Sequence, residues 1–131
     1  MANFSKQREA ILGVLNGTKT HPDAAWVYSE TQKLIPNISL GTVYRNLAKL
    51  QESGEIVSLG VYGGVERFDA DVKEHLHFYC KNCQKILDIS DKHVLPIKKI
   101  GKLLDAEIDG VTCVFEGKCN DCVNSSKNNK N

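Results

Sequence analysis

Four cysteines stand in two matching pairs, Cys80-Lys81-Asn82-Cys83 and Cys119-Asn120-Asp121-Cys122, with 35 residues between them. Each CxxC turn presents two thiolates from one tight bend, and four thiolates suit a single tetrahedral Zn²⁺. A closed site of this kind has no open coordination position, so its role is structural, and a folding zinc contributes on the order of 10 kcal/mol. The competing reading is a pair of independent redox motifs, which reactive thiols in the zinc-loaded protein would reveal. Cys113 lies between Thr112 and Val114 in an apolar run and reads as a core residue rather than a ligand.

A second group of chemically able residues is His75 and His77. On a strand their imidazoles leave the same face, opposite Leu76 and Phe78, and two imidazoles facing water can grip one ion. Two histidines alone do not decide the matter. His93, behind Asp91 and Lys92, reads as a solvent-exposed loop residue.

The elements that must position these groups change character along the chain. Phe4 to Asn16 has apolar residues at 4, 11, 12 and 15 and stops at Gly17, the pattern of a short helix with a glycine cap. A second helix opens at Asp23, with Ala24, Val27, Tyr28 and Leu34 on its apolar face, and Pro36 ends it. Ser39 caps a third helix, with Val43, Leu47 and Leu50 buried and Gly54 at its end. EIVSLGVYGGVERFDA then alternates around Gly63-Gly64, a two-stranded hairpin. Three helices followed by a hairpin is the winged-helix order. A hinge is expected at 70–74. HLHFYC and KILDIS read as strands, VLPIKKIGKLLDA as a helix, and AEIDGVTCVFEGKC as a further strand or hairpin.

The expected fold class is therefore α+β. A winged-helix DNA-binding domain spans 1–70, a small α/β metal-sensing and dimerisation domain with the four-cysteine zinc site spans 71–122, and a polar tail over 123–131 is disordered. Two such small domains within 131 residues bury too little apolar surface to stand unaided, so a metal, a disulfide or a partner subunit is expected. No apolar run approaches the roughly 18 residues of a membrane span, and MANFSKQREAIL lacks the apolar core of a secretion signal, so a cytoplasmic protein with reduced thiols and no membrane partner is expected.

The third helix carries Thr42, Tyr44, Arg45 and Lys49 off its buried stripe. This is a mixture able to touch phosphates, thymine methyls and base edges in the major groove. Residues 1–70 hold seven Lys or Arg against seven Asp or Glu, so the first domain has no basic field of its own. A DNA reader of this composition must concentrate its positive groups on one face and bind as a dimer or after gaining metal charge. A two-fold dimer reads a pseudo-palindromic operator.

Ser5-Lys6-Gln7-Arg8, Ile11-Leu12, His21-Pro22, Thr42-Val43-Tyr44-Arg45-Asn46-Leu47, HLHFYCKNC and GKCNDC follow one another from about Phe4 to Cys122. In these motifs and their order the sequence resembles the ferric uptake regulator superfamily of metal-dependent repressors. The resemblance implies a regulatory ion held by His21, Asp69, His75, His77 and Asp88. Taken singly, His21 reads equally well as a helix-start residue, and the two aspartates as solvated strand-end carboxylates. At position 88 iron-sensing relatives tend to carry Glu and peroxide sensors Asp, so the resemblance leans to the peroxide-sensing branch. It implies Fe²⁺ or Mn²⁺ as the regulatory ion and His21 or His75 as the residue oxidised when the iron form meets peroxide. An iron-responsive repressor is the alternative, and a zinc-ribbon redox protein or a zinc-stabilised module that binds no DNA stands further off. No enzymatic activity is expected. Val111 stands where many members place a further histidine, so no auxiliary metal site is expected.

Overall fold

The computed structural model describes residues 2–73, 76–89, 95–111 and 113–128. The chain forms two compact units that divide between Val72 and Lys73. His75 and His93 lie outside the described residues.

The first unit contains α1 (Ala2–Asn16), α2 (Ala24–Gln32), α3 (Leu40–Glu52), β1 (Val57–Tyr62) and β2 (Val65–Asp69). Side-chain oxygens start two of the helices: Asp23 accepts from the Trp26 amide at 2.9 Å and Ser39 from the Thr42 amide at 3.1 Å. Each satisfies a donor that the first helical turn leaves without an intrahelical partner. At the far end of α3, Gly54 adopts φ 80, a left-handed conformation open to glycine without a Cβ penalty. Gly63 and Gly64, at φ 64 and φ 85, make the tight turn that joins β1 to β2 as an antiparallel hairpin. Ile11, Leu15, Val27, Val43, Leu47, Leu50, Ile56 and Phe68 come from all five elements or their edges and close one apolar core.

The second helix departs from its expected face. It ends at Gln32, so Leu34 falls beyond it and is 64% exposed, while Thr31 takes the buried position. The Thr31 side chain is fully buried, and its Oγ1 makes no hydrogen bond among the described residues. Thr31→Val keeps the shape and removes the uncompensated hydroxyl. It is expected to stabilise the first unit by about 1 kcal/mol, seen as a higher urea midpoint at unchanged slope.

In the second unit β3 (Leu76–Cys80) is central, with β4 (Ile86–Ile89) antiparallel on one side and β5 (Cys113–Gly117) parallel on the other. A parallel pair needs a crossover connection rather than a hairpin, and the stretch between β4 and β5 includes α4 (Ile97–Leu104). The last element, α5 (Asn120–Asn128), corrects an expectation, because the polar tail after Cys122 is helical as far as Asn128. The Val123 amide donates to the Cys119 carbonyl at 2.9 Å, so the second CxxC is itself the first turn of this helix, and Asp121 lies where the helix dipole favours an acid. Among the described residues, Cys80, Cys119 and Cys122 form one buried cluster with Phe78 packed against it, and Tyr79 and Ile86 are buried as well. Among the described residues no helix is long and apolar enough to cross a membrane.

Candidate metal centres

β3 delivers Cys80 at its end, and the bend that follows returns the chain as β4. The Cys80 amide donates to the Lys85 carbonyl at 2.9 Å and the Gln84 amide to the Cys80 carbonyl at 2.8 Å, with Gln84 at φ 65. This closed turn sets Cys83 beside Cys80, and the start of α5 supplies Cys119 and Cys122. All four Sγ atoms lie within 4.8 Å of one another. Cys80 and Cys122 are 3.7 Å apart and Cys83 and Cys119 3.8 Å. A tetrahedron of sulfurs about 2.3 Å from a zinc ion has edges of about 3.8 Å, whereas a disulfide needs about 2.05 Å. The donors therefore fit zinc, and all four cysteines are free thiols.

The electrostatics of the cluster agree. Amides of Cys119 and Cys83 donate to Cys80 Sγ at 3.3 Å and 3.4 Å and hold its pKa down at about 6, against an ordinary 9.0. At Cys122 the Asn82 side chain favours the thiolate, but burial and the neighbouring thiols outweigh it and push the group up to about 11. One sulfur is thus poised as an anion while a close neighbour resists a second charge, and a divalent ion removes that conflict. Lys85 is a participant that sequence reasoning missed. Its Nζ lies 3.4 Å from Asp121 Oδ2, and that carboxylate, with Cys119 and Cys83, raises its pKa. Nothing in the type or spacing of a lysine after a CxxC marks this role.

The oxygen and nitrogen donors form a pair in each unit. In the first unit His21 Nε2 lies 3.2 Å from Asp69 Oδ2, and both residues are buried. In the second, the β3–β4 register sets His77 opposite Asp88, and His77 Nε2 lies 3.1 Å from Asp88 Oδ1. These separations are ion-pair contacts. They also match neighbouring coordination positions, since ligands about 2.1 Å from an ion and at right angles are about 3 Å apart. Each pair offers imidazole with carboxylate, a harder donor set than the thiolates and one suited to Fe²⁺ or Mn²⁺. One expectation is corrected here: His77 does not face water but is 6% exposed, while Leu76 and Phe78 on the other face are only half-buried.

The third helix turns Tyr44, Arg45 and Lys49 outward, with Thr42 half-buried beside them. Tyr44 is 55% exposed although its ring is large and apolar. Thr42 Oγ1 sits 2.9 Å from the Ser39 hydroxyl and accepts from Arg45 Nη2 at 3.0 Å, so the cap of α3 also steadies the guanidinium.

Three helices with a hairpin, a thiolate-stapled sheet and two histidine–aspartate pairs define a small metal-binding protein of two units. Residues 2–112 match the ferric uptake regulator family, and the chain belongs to that family of metal-dependent transcriptional regulators. It is similar to the peroxide-responsive repressor PerR of Staphylococcus aureus (strain NCTC 8325 / PS 47), with 31% identity over 120 residues, 91% of this chain and 81% of the relative. Among solved structures it is similar to the peroxide stress regulator of Campylobacter jejuni, with a TM-score of 0.82, 30% identity and 92% of both chains covered. It is also similar to the ferric uptake regulator Fur of Helicobacter pylori, with a TM-score of 0.81, 26% identity and 90% and 80% of the two chains covered.

Proposed function

We propose that the protein is a homodimeric repressor whose hold on a pseudo-palindromic operator depends on a regulatory Fe²⁺ or Mn²⁺, and that it senses peroxide through oxidation of a histidine ligand. The ligands in this reading are His21, Asp69, His75, His77 and Asp88, and the ion shifts the population towards the DNA-binding form. The four-cysteine cluster holds zinc and keeps the second unit folded. Thr42, Tyr44, Arg45 and Lys49 read the major groove.

The observation that carries the reading is the His77–Asp88 pair, because the carboxylate at this register position is an aspartate rather than the longer glutamate. The likeness to a peroxide-responsive repressor and to a peroxide stress regulator supports it. When bound, Fe²⁺ supplies reductive cleavage of a peroxide O–O bond beside the imidazoles, which Mn²⁺ does not. His21 and His75 are the imidazoles that an oxidant released at the site would modify.

The test loads zinc-replete protein with Fe²⁺ or Mn²⁺ and exposes both to peroxide. Binding is followed by anisotropy on a duplex selected from a random library by the Mn²⁺ form, and peptide masses are recorded in parallel. The iron form is expected to release DNA and gain one oxygen at His21 or His75, while the manganese form does neither. An iron form that keeps its DNA, with His21, His75 and His77 unmodified, overturns the peroxide reading. The likeness to the H. pylori regulator favours the iron-responsive alternative, in which binding follows Fe²⁺ concentration and peroxide leaves the histidines intact.

A further inference from the structure

The loop between α1 and α2 is held by three consecutive residues of β2. Arg67 donates from Nε to the His21 carbonyl and from Nη2 to the Thr20 carbonyl, the latter at 2.9 Å. The Phe68 amide donates to the Pro22 carbonyl at 2.9 Å, and Asp69 Oδ2 meets His21 Nε2 at 3.2 Å. Three successive carbonyls are thereby captured by two successive residues. The backbone being held is uncommon, since His21 sits at φ 55, a left-handed conformation that few residues with a Cβ adopt, histidine more often than most.

We propose that Arg67 is a positioning residue for the regulatory ion: its planar fork takes the Thr20 and His21 carbonyls, imposes the left-handed backbone at His21, and so aims the imidazole at Asp69. The inference rests on the ligand set proposed above. Preorganisation of this kind lowers the ordering cost of binding, because the imidazole is already aimed when the ion arrives. The fork matters as well as the charge, since a guanidinium presents two parallel N–H groups to neighbouring carbonyls and an ammonium presents one point donor.

Charge alone argues for the opposite outcome. A guanidinium beside a cation site repels the ion, so on that ground removing Arg67 should strengthen binding. If the residue positions His21, removing it weakens binding instead, and the sign of the change separates the two.

Full-length, zinc-loaded protein is titrated with Mn²⁺ as wild type, Arg67→Met, Arg67→Lys and His21→Ala. Co²⁺ ligand-field spectra report the coordination, and hydrogen exchange at the Phe68 amide and thermal melting report the metal-free state. Both Arg67 variants are expected to bind Mn²⁺ roughly 10- to 100-fold more weakly, with altered Co²⁺ bands, faster Phe68 exchange and unchanged zinc content. Arg67→Met that binds as tightly as wild type or more tightly, beside a His21→Ala that loses the ion, overturns the proposal and leaves the ligand set standing. Wild-type binding by Arg67→Lys overturns the role of the fork. A fall in metal-free melting large enough to account for the weaker binding assigns Arg67 to folding alone and also overturns it. Undiminished binding by His21→Ala overturns the ligand set and the proposal together.

Discussion

Cys80→Ser is expected to release zinc and unfold the second unit. Cys80 is fully buried, accepts two amides, and belongs to a cluster of cysteines against which Phe78 packs. A unit of so few residues buries little apolar surface to set against the conformational entropy of its strands and helices. A zinc ion at this cluster would link β3 with the start of α5, and its loss would remove on the order of 10 kcal/mol from the folded state. Serine keeps the volume but offers no thiolate at neutral pH. Zinc content by mass spectrometry, titration of the remaining thiols and the thermal melt are the measurements. A variant that keeps its zinc and melts like the wild type removes the staple from the account. In metal-free protein the lowered Cys80 pKa gives the direction with pH. Its thiolate contributes stability fully above the ordinary value of 9.0 and loses that contribution as pH falls through about 6, so acid weakens the empty cluster.

How much of this is open to sequence reasoning depends on the range of each interaction. Ser39, Asp23 and Gly54 act within one helical turn, and Gly63-Gly64 acts within one hairpin, so residue type at a fixed offset is enough to find them. The CxxC pairs are legible for the same reason, since each is a local turn and only their meeting is long-range. The parallel partnership of β3 and β5 is not, because it depends on a crossover and leaves no period-two mark distinguishing it from a hairpin. The helix after Cys122 escapes sequence reading because polar residues carry no buried stripe there. Its start is fixed by an anchored cysteine turn, not by amphipathicity. Leu76 and Phe78 argue for a watery face at His77, yet its imidazole is buried with the Asp88 carboxylate of the neighbouring strand 3.1 Å away, a placement fixed by the long-range β3–β4 register. Arg67 leaves no signal at all, since its partners are backbone carbonyls 46 and 47 residues away in sequence.

His77→Ala should abolish the response of DNA binding to Mn²⁺ while leaving the zinc staple whole. The imidazole projects from β3 beside Asp88, whereas the cysteine cluster packs against Phe78 on the alternate face of the strand, so the two centres respond separately to substitution. Without it the carboxylate of Asp88 retains one hard donor, but the nitrogen that completes the pair is gone. Allosteric coupling between an effector and a second ligand is typically worth roughly 5- to 150-fold in affinity. The wild type should therefore bind its selected duplex more tightly by a factor in that range when Mn²⁺ is added, and His77→Ala should show a ratio near one. Asp88→Asn, which keeps the shape of the pair and halves its oxygen donors, should fall between the two. A direct effect on DNA contact would weaken binding with and without Mn²⁺ alike, as Arg45→Ala is expected to do, so the ratio rather than the affinity is the quantity to compare. If His77→Ala keeps the wild-type ratio, the regulatory ion is bound elsewhere and the histidine–aspartate pair on β3 and β4 is a structural ion pair only.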